Sequence, residues 1–144
     1  SETCALDIIG ASFEREIEPG EMVVIENGRL ASFRPFGPST GRFCIFEHVY
    51  FSRPDSLLGG RSVYETRHQI GVELAREAPV EADLVCPVPD SGTPAAIGYS
   101  QESGIPYAMG IIRNQYVGRT FIEPTEQIRN MGVRLKLNVN RALI

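Results

Sequence analysis

Apolar and polar positions alternate over Ser12–Ile17, with Phe13, Arg15 and Ile17 on one side and Glu14 and Glu16 on the other. That period predicts a half-buried strand. The turn E-P-G-E follows, then the strand-like run Met22–Glu26, then Asn27-Gly28, a tight hairpin signal. Residues 12–36 therefore read as a small β element. Arg34–Arg42, R-P-F-G-P-S-T-G-R, is dense in Pro and Gly and predicts a connection between domains.

Beyond it, Phe43–Ser56 mixes β-branched and aromatic residues, and periodicity alone leaves it open between extended chain and a short helix. Residues 62–78 predict a helix. Val63, Ile70, Val72 and Leu74 supply its apolar stripe, Ser62 with Glu65 forms a capping box, and Pro79 closes it. Ala82–Val88 reads as a buried strand. A helix opens at Gly92 or Thr93, carries Ala95, Ala96, Ile97 and Tyr99, and ends at Gly104. Ile105–Ile112 is a further apolar strand. This order is that of half a parallel α/β sheet. Residues 141–144 read as the approach to another strand, and the abrupt start and end suggest a window from a larger protein.

At 144 residues, 42% hydrophobic and 22% charged, the composition is globular. No apolar run approaches the ~20 residues that span a bilayer. The N-terminus has no basic n-region of a signal peptide. Cys4, Cys44 and Cys86 are odd in number, widely spaced and without a C-x-x-C, which favours a reducing cytoplasm over a disulfide framework. Cys4 and Cys86, in apolar contexts, are expected in the core. The net charge of −4 hides an asymmetry: Arg113, Arg119, Arg129, Arg134, Lys136 and Arg141 face only Glu123 and Glu126 beyond residue 110. A basic segment on an acidic chain points to a local anionic ligand rather than nucleic acid.

The stretch P-V-P-D-S-G-T, Pro87–Thr93, lies where ligands sit in open α/β sheets, beyond a strand's carboxyl end. Gly92, the Ser91 and Thr93 hydroxyls and a helix N-terminus suit phosphate or pyrophosphate. Asp90 opposes that reading unless it binds a bridging metal or caps the helix. Neither G-x-x-x-x-G-K-[ST] nor G-x-G-x-x-G is present. An anion cradle and a plain helix N-cap both remain open on these residues.

The motifs "FEHVYFSRPDS", "PVPDSGTPAAIGY", "NQYVGRTFIEP" and "VRLKLN" occur in this order, and "SETCALDIIGA" and "EPGEMVVI" precede them. Together they resemble the glutamine phosphoribosylpyrophosphate amidotransferases, which open de novo purine synthesis, over essentially the whole chain. The resemblance implies a mixed α/β fold: the end of an N-terminal-nucleophile glutaminase domain (1–36), a linker (37–43), and the first half of a type I phosphoribosyltransferase fold (44–144). It implies that glutamine-derived ammonia displaces pyrophosphate from phosphoribosyl pyrophosphate. The glutaminase nucleophile and the ribose-phosphate motif would both lie outside these residues, so the chain alone is expected to be inactive.

By the same resemblance, Pro89, Asp90, Ser91, Gly92 and Thr93 form the pyrophosphate loop, with Mg²⁺ offsetting the charge of Asp90 and phosphates. Arg113–Thr120 would be the closing catalytic loop, with Arg113, Tyr116 and Arg119 as its working residues. It departs from the family's K-N-R-Y-V-G-R-T at Arg113 and Gln115. Tyr50, Tyr116 and Ile122 match an internal ammonia channel, although core packing would look the same for Tyr50 and Ile122. Cys44 matches a ligand of the [4Fe–4S] cluster that some members hold, the alternative being a buried thiol. Purine nucleotide feedback, a homotetramer, and no nucleic-acid or membrane partner are further implications. A salvage phosphoribosyltransferase and a phosphoribosyl-pyrophosphate-sensing regulator are the rival readings. Residues 1–36, with no role in the first and no DNA-binding helix for the second, weigh against both.

Overall fold

The structure, a computed structural model, describes residues 2–120 and 122–143. Helix α1 (Thr3–Ile8) leads to a hairpin of β1 (Met22–Glu26) and β2 (Arg29–Phe33). Its antiparallel register pairs Glu26 with Arg29. That leaves a two-residue loop, Asn27 and Gly28, both at positive φ (52° and 73°). A loop with both residues left-handed fits the twist of the strands it joins, and Asn-Gly tolerates it best. The alternating stretch before it forms no strand. Arg15 instead turns its guanidinium onto Glu21 in a two-pronged bond of 2.7 and 2.9 Å, and the Ser32 hydroxyl and the Glu18 N–H bind the same carboxylate. Those bonds, Arg15 first, lower the Glu21 pKa to about 2. Here a local ion pair prevails over the alternation.

After the irregular 34–42 segment, a π-helical turn (Glu47–Phe51) resolves the stretch that the pattern left open. Two short strands, β3 (Leu57–Leu58) and β4 (Arg61–Ser62), pair antiparallel and feed α2 (Val63–Glu77). Ser62 caps α2 as expected, its Oγ accepting from the Glu65 N–H at 3.2 Å. The buried face differs from the predicted stripe. Val63, Arg67, Gly71, Val72 and Ala75 are buried, whereas Ile70 and Leu74 are exposed. Four-residue spacing from Val63 to Ala75 aligns one narrow face along the helix.

Helix α3 (Thr93–Ser103) packs on that face. A Cβ added at Gly71 would lie 1.8 Å from the Ala95 carbonyl oxygen, and one at Gly98 would lie 2.1 Å from that of His68. The helices thus meet backbone to backbone, and only glycine fits at either crossing point. Arg76–Glu102 at 2.8 Å, His68–Gln101 at 2.8 Å and the Tyr99 hydroxyl on the Ala78 carbonyl at 3.0 Å close the rim.

The two predicted parallel strands are reduced to one parallel bridge. Val85 pairs with Tyr107, through Val85 N–H to Pro106 O at 2.8 Å and Ala108 N–H to Val85 O at 3.0 Å. Pro87, Pro89 and Pro106 cannot donate to a ladder, which limits its length. The rest of the apolar run enters β5 (Ile111–Arg113), which pairs antiparallel with β6 (Leu137–Val139) after helix α4 (Glu126–Lys136). Residues 141–143, read as the approach to a further strand, form a turn, and Ile144 lies outside the described residues.

The N-terminal helix reaches across the proline- and glycine-rich segment. Glu2 accepts from the Arg53 N–H at 2.7 Å and the Ser56 hydroxyl at 2.6 Å, and the Thr3 hydroxyl accepts from the Leu57 N–H at 2.7 Å. The Ser56 hydroxyl and the Arg53 N–H hold the Glu2 carboxyl below its ordinary pKa. Cys4 is buried there as expected, but Cys86 is only partly buried.

The accessible surface is 11,124 Å². Size scaling gives about 7,300 Å² for a self-contained fold of this mass. Large apolar side chains stand exposed along the hairpin, the π-helical turn and α4, among other places. Among the described residues no helix is long and apolar enough to cross a membrane.

Candidate functional site

The Pro87–Thr93 loop joins the Val85 bridge to α3. It folds back on itself: the Gly92 N–H donates to Val88 O at 3.3 Å and the Thr93 N–H to Asp90 O at 3.2 Å. A Cβ at Gly92 would stand 2.9 Å from the Val88 oxygen. Gly92 is therefore required by the loop's own crossing, at an ordinary φ of −77°. The Pro89–Asp90 peptide is cis. Gly92 is the N-cap of α3, Pro94 occupies its first turn, and no side chain caps the helix. The helix start is thus a glycine cap with no side-chain oxygen on its first N–H groups. Ser91 and Thr93 flank an α3 N-terminus whose dipole favours an anion.

Asp90 neither caps the helix nor faces solvent alone: the Arg113 guanidinium of β5 donates to its carboxylate. This link joins the loop to the basic C-terminal segment. Arg113 also lines an open hollow of about 660 Å³ of mixed polar and apolar lining, together with Asn114, Asn138, Asn140 and Arg141 and the apolar Leu135 and Val139. Two guanidinium groups on one hollow suit a phosphate-bearing ligand. The sequence placed Arg113 in a separate loop and did not single out Arg141. The signal was the charge asymmetry, but not which arginines share a wall.

After Arg113 the chain turns on Asn114, whose N–H donates to Lys136 O at 2.7 Å and whose Oδ1 accepts from the Tyr116 N–H at 3.0 Å. Tyr116 is 89% exposed, and Arg119 is exposed as well. Val117–Thr120 lies against α4, where a Cβ on Gly132 would meet Thr120 Cγ2 at 3.0 Å. Tyr50 is 55% exposed, with its ring 5.4 Å from that of Phe46, and Ile122 is 67% exposed. Neither is core packing within this chain. Arg113 and Asp90 are brought together; Tyr50, Tyr116 and Ile122 each stand open on their own elements.

Cys44 is exposed, not the buried thiol of the alternative reading. Among the described residues no group of three or more His, Cys, Asp or Glu could hold a metal ion. The exposed Cys44 is the thiol that could offer itself to a cluster. For Mg²⁺, Asp90 supplies an exposed carboxylate already shared with Arg113. A groove of about 960 Å³ runs along the outer face of α2, and an apolar one of about 300 Å³ lies between α2, α3 and the Val85 bridge; neither is lined by a residue of Pro87–Thr93.

The mixed α/β fold places the chain first in a structural class, that of solved enzymes described by their role in purine biosynthesis. It superposes with a TM-score of 0.88 at 49% identity on a solved structure described as the allosteric regulatory enzyme of purine biosynthesis, covering 100% of this chain and 31% of that one. A glutamine phosphoribosylpyrophosphate amidotransferase from B. subtilis, complexed with ADP and GMP, gives 0.87 at 48%, over 99% of this chain and 31% of its own. No family model matches the chain.

Curated relatives narrow the class. The chain is 60% identical over its full length to the amidophosphoribosyltransferase of Rhizobium etli, covering 30% of it. It is 58% identical to that of Mycobacterium tuberculosis, covering 27%, and 53% identical to the chloroplastic amidophosphoribosyltransferase 1 of Arabidopsis thaliana, covering 25%. These amidophosphoribosyltransferases match the chain from end to end, and the chain spans at most about 30% of their length.

Proposed function

We propose that this chain works as part of an amidophosphoribosyltransferase, in which ammonia released from glutamine attacks C1 of phosphoribosyl pyrophosphate. The C1–N bond forms as the C1–O bond to pyrophosphate breaks. Pyrophosphate leaves with the bonding electrons, and the nitrogen loses a proton to give phosphoribosylamine. The observation that carries this reading is the uncapped α3 N-terminus, with the Asp90–Arg113 link across it, in a chain matched end to end by amidophosphoribosyltransferases.

Pro89, Asp90, Ser91, Gly92 and Thr93 cradle the leaving pyrophosphate, where aimed backbone N–H groups stabilise charge as it develops. Arg113 moves from Asp90 to a phosphate oxygen, and Arg119 meets a second. Tyr116 closes over C1 to exclude water, with Gly118 allowing the movement. Mg²⁺, when bound with the substrate, neutralises phosphate charge, and Asp90 is the side chain that would share it. Tyr50, Tyr116 and Ile122, exposed here, serve as apolar walls for ammonia once further protein covers them. Cys44 contributes one thiolate where a [4Fe–4S] cluster is held. Residues 1–36 belong to the glutaminase side and 44–144 to the phosphoribosyltransferase side, with 37–43 between them. A homotetramer under purine-nucleotide feedback completes the reading; the B. subtilis relative is complexed with two purine nucleotides, ADP and GMP. Its setting is the cytoplasm, or a plastid in plants as for the Arabidopsis relative.

The test is pyrophosphate release from phosphoribosyl pyrophosphate by the full-length protein, with glutamine and separately with ammonium as donor. Release with both donors is expected. Release that depends on neither, or only on a purine base, would replace this reading with another transferase.

A further inference from the structure

Arg67 is 3% exposed on the buried face of α2, and no ion pair engages it among the described residues. Burying a cation without a counter-charge is costly unless its N–H groups find acceptors. They find two: Nε donates to the His48 carbonyl at 2.5 Å and Nη2 to the Ser52 carbonyl at 2.8 Å. These carbonyls lie at the start and just past the end of the π-helical turn, where the chain leaves helical geometry at Ser52 (ψ 153°). Cationic donors at a helical C-terminus also suit its dipole. The Ser52 hydroxyl adds a strut to Glu47 Oε2 at 2.6 Å, and Ser52 N–H donates to Glu47 O at 3.1 Å. The buried imidazole of His48, its Nδ1 without a partner, packs 5.0 Å from the Phe43 ring. One planar fork therefore pins the turn, with its inner side sealed and Tyr50 projecting outward.

We infer that Arg67 is a positioning residue for ammonia transfer: by gripping both ends of the Glu47–Phe51 turn it fixes Tyr50 as a wall of the route between the two reactions. The inference rests on the proposed function, which assigns Tyr50 to that route. A lysine keeps the charge but carries its three donors on one flexibly held nitrogen, without the rigid fork that sets Nε and Nη2 on two separate carbonyls. Without the fork the turn moves, and ammonia escapes before it reaches C1.

The test uses the full-length enzyme and compares phosphoribosylamine synthesis from glutamine with synthesis from added ammonium, alongside glutamine hydrolysis. In Arg67→Lys the glutamine-to-ammonium ratio should fall about tenfold or more, the scale on which small misplacements act, while ammonium-dependent synthesis and glutamine hydrolysis persist. A merely structural arginine would lower all three together, and that result overturns the inference. Ser52→Ala removes the strut and leaves both carbonyls in place, so it serves if Arg67→Lys does not fold; a smaller fall in the same ratio is expected. Tyr50→Ala separates the two claims. If it lowers the ratio while Arg67→Lys and Ser52→Ala do not, Arg67 has no positioning role and the route through Tyr50 stands. If Tyr50→Ala leaves the ratio unchanged, the assignment of Tyr50 fails, and the inference with it.

Discussion

Replacing Gly71 by alanine sets two physical effects against each other. Helix propensity favours alanine by about 1 kcal/mol in a helix interior. Packing opposes it: the new Cβ would lie 1.8 Å from the Ala95 oxygen, 2.6 Å from its carbonyl carbon and 2.8 Å from its Cα. These are backbone atoms of α3, so no rotamer change relieves them. Helix α3 must retreat by roughly 1.5 Å, and overpacking costs of about 3 kcal/mol or more are expected when backbone has to move. The net is a loss of about 2 kcal/mol in the α2–α3 unit. Gly118 is the control, since its Cβ would meet nothing within 4 Å. Hydrogen exchange on the full-length protein reads the local opening free energy directly. Amides of α2 and α3 should exchange about thirtyfold faster in Gly71→Ala, the equivalent of 2 kcal/mol, and at unchanged rates in Gly118→Ala. Slower exchange in Gly71→Ala would mean that propensity decides and that the helices are not in backbone contact.

Glu21, held at a pKa of about 2 against an ordinary 4.5, stabilises the hairpin fully above the ordinary value and progressively less as pH falls towards 2; NMR shifts of the hairpin should titrate over that window and lose the effect in Glu21→Gln. Trypsin should cut after Arg113 or Arg119 in the free enzyme and be blocked by phosphoribosyl pyrophosphate with Mg²⁺; equal protection in both states would make the segment structural. Tyr116→Ala should lower ammonium-dependent turnover more than substrate affinity, as expected of a side chain that acts in the closed state; unchanged turnover would remove that role. In protein free of any cluster, Cys44 should react first with a thiol reagent and Cys4 last, as mass spectrometry of labelled peptides would report.

The local features were legible in the sequence. Asn27-Gly28 dictates its turn through its own backbone preferences, Ser62 caps α2 through a bond three residues away, and Gly104 ends α3 in the left-handed conformation that it tolerates. The Pro87–Thr93 loop was found because strand, small residues and helix follow one another directly. What the sequence concealed depends on distant partners. Arg67 looks like a surface residue of an amphipathic helix until the π-helical turn supplies its acceptors. Gly71 and Gly98 look like weak points in two helices until the helices cross there. The Asp90–Arg113 link joins groups 23 residues apart, and no periodicity reports it.

The proposed function depends on Pro87–Thr93 cradling pyrophosphate. Calorimetric titration of the full-length protein with phosphoribosyl pyrophosphate and Mg²⁺ tests it directly, comparing wild type with Gly92→Ala, whose Cβ would press on Val88 O at 2.9 Å and push the cradle out of shape. Binding that weakens with salt in the wild type, and falls about tenfold or more in a Gly92→Ala protein that keeps α3, is the predicted result. Equal affinity in the two proteins would contradict it.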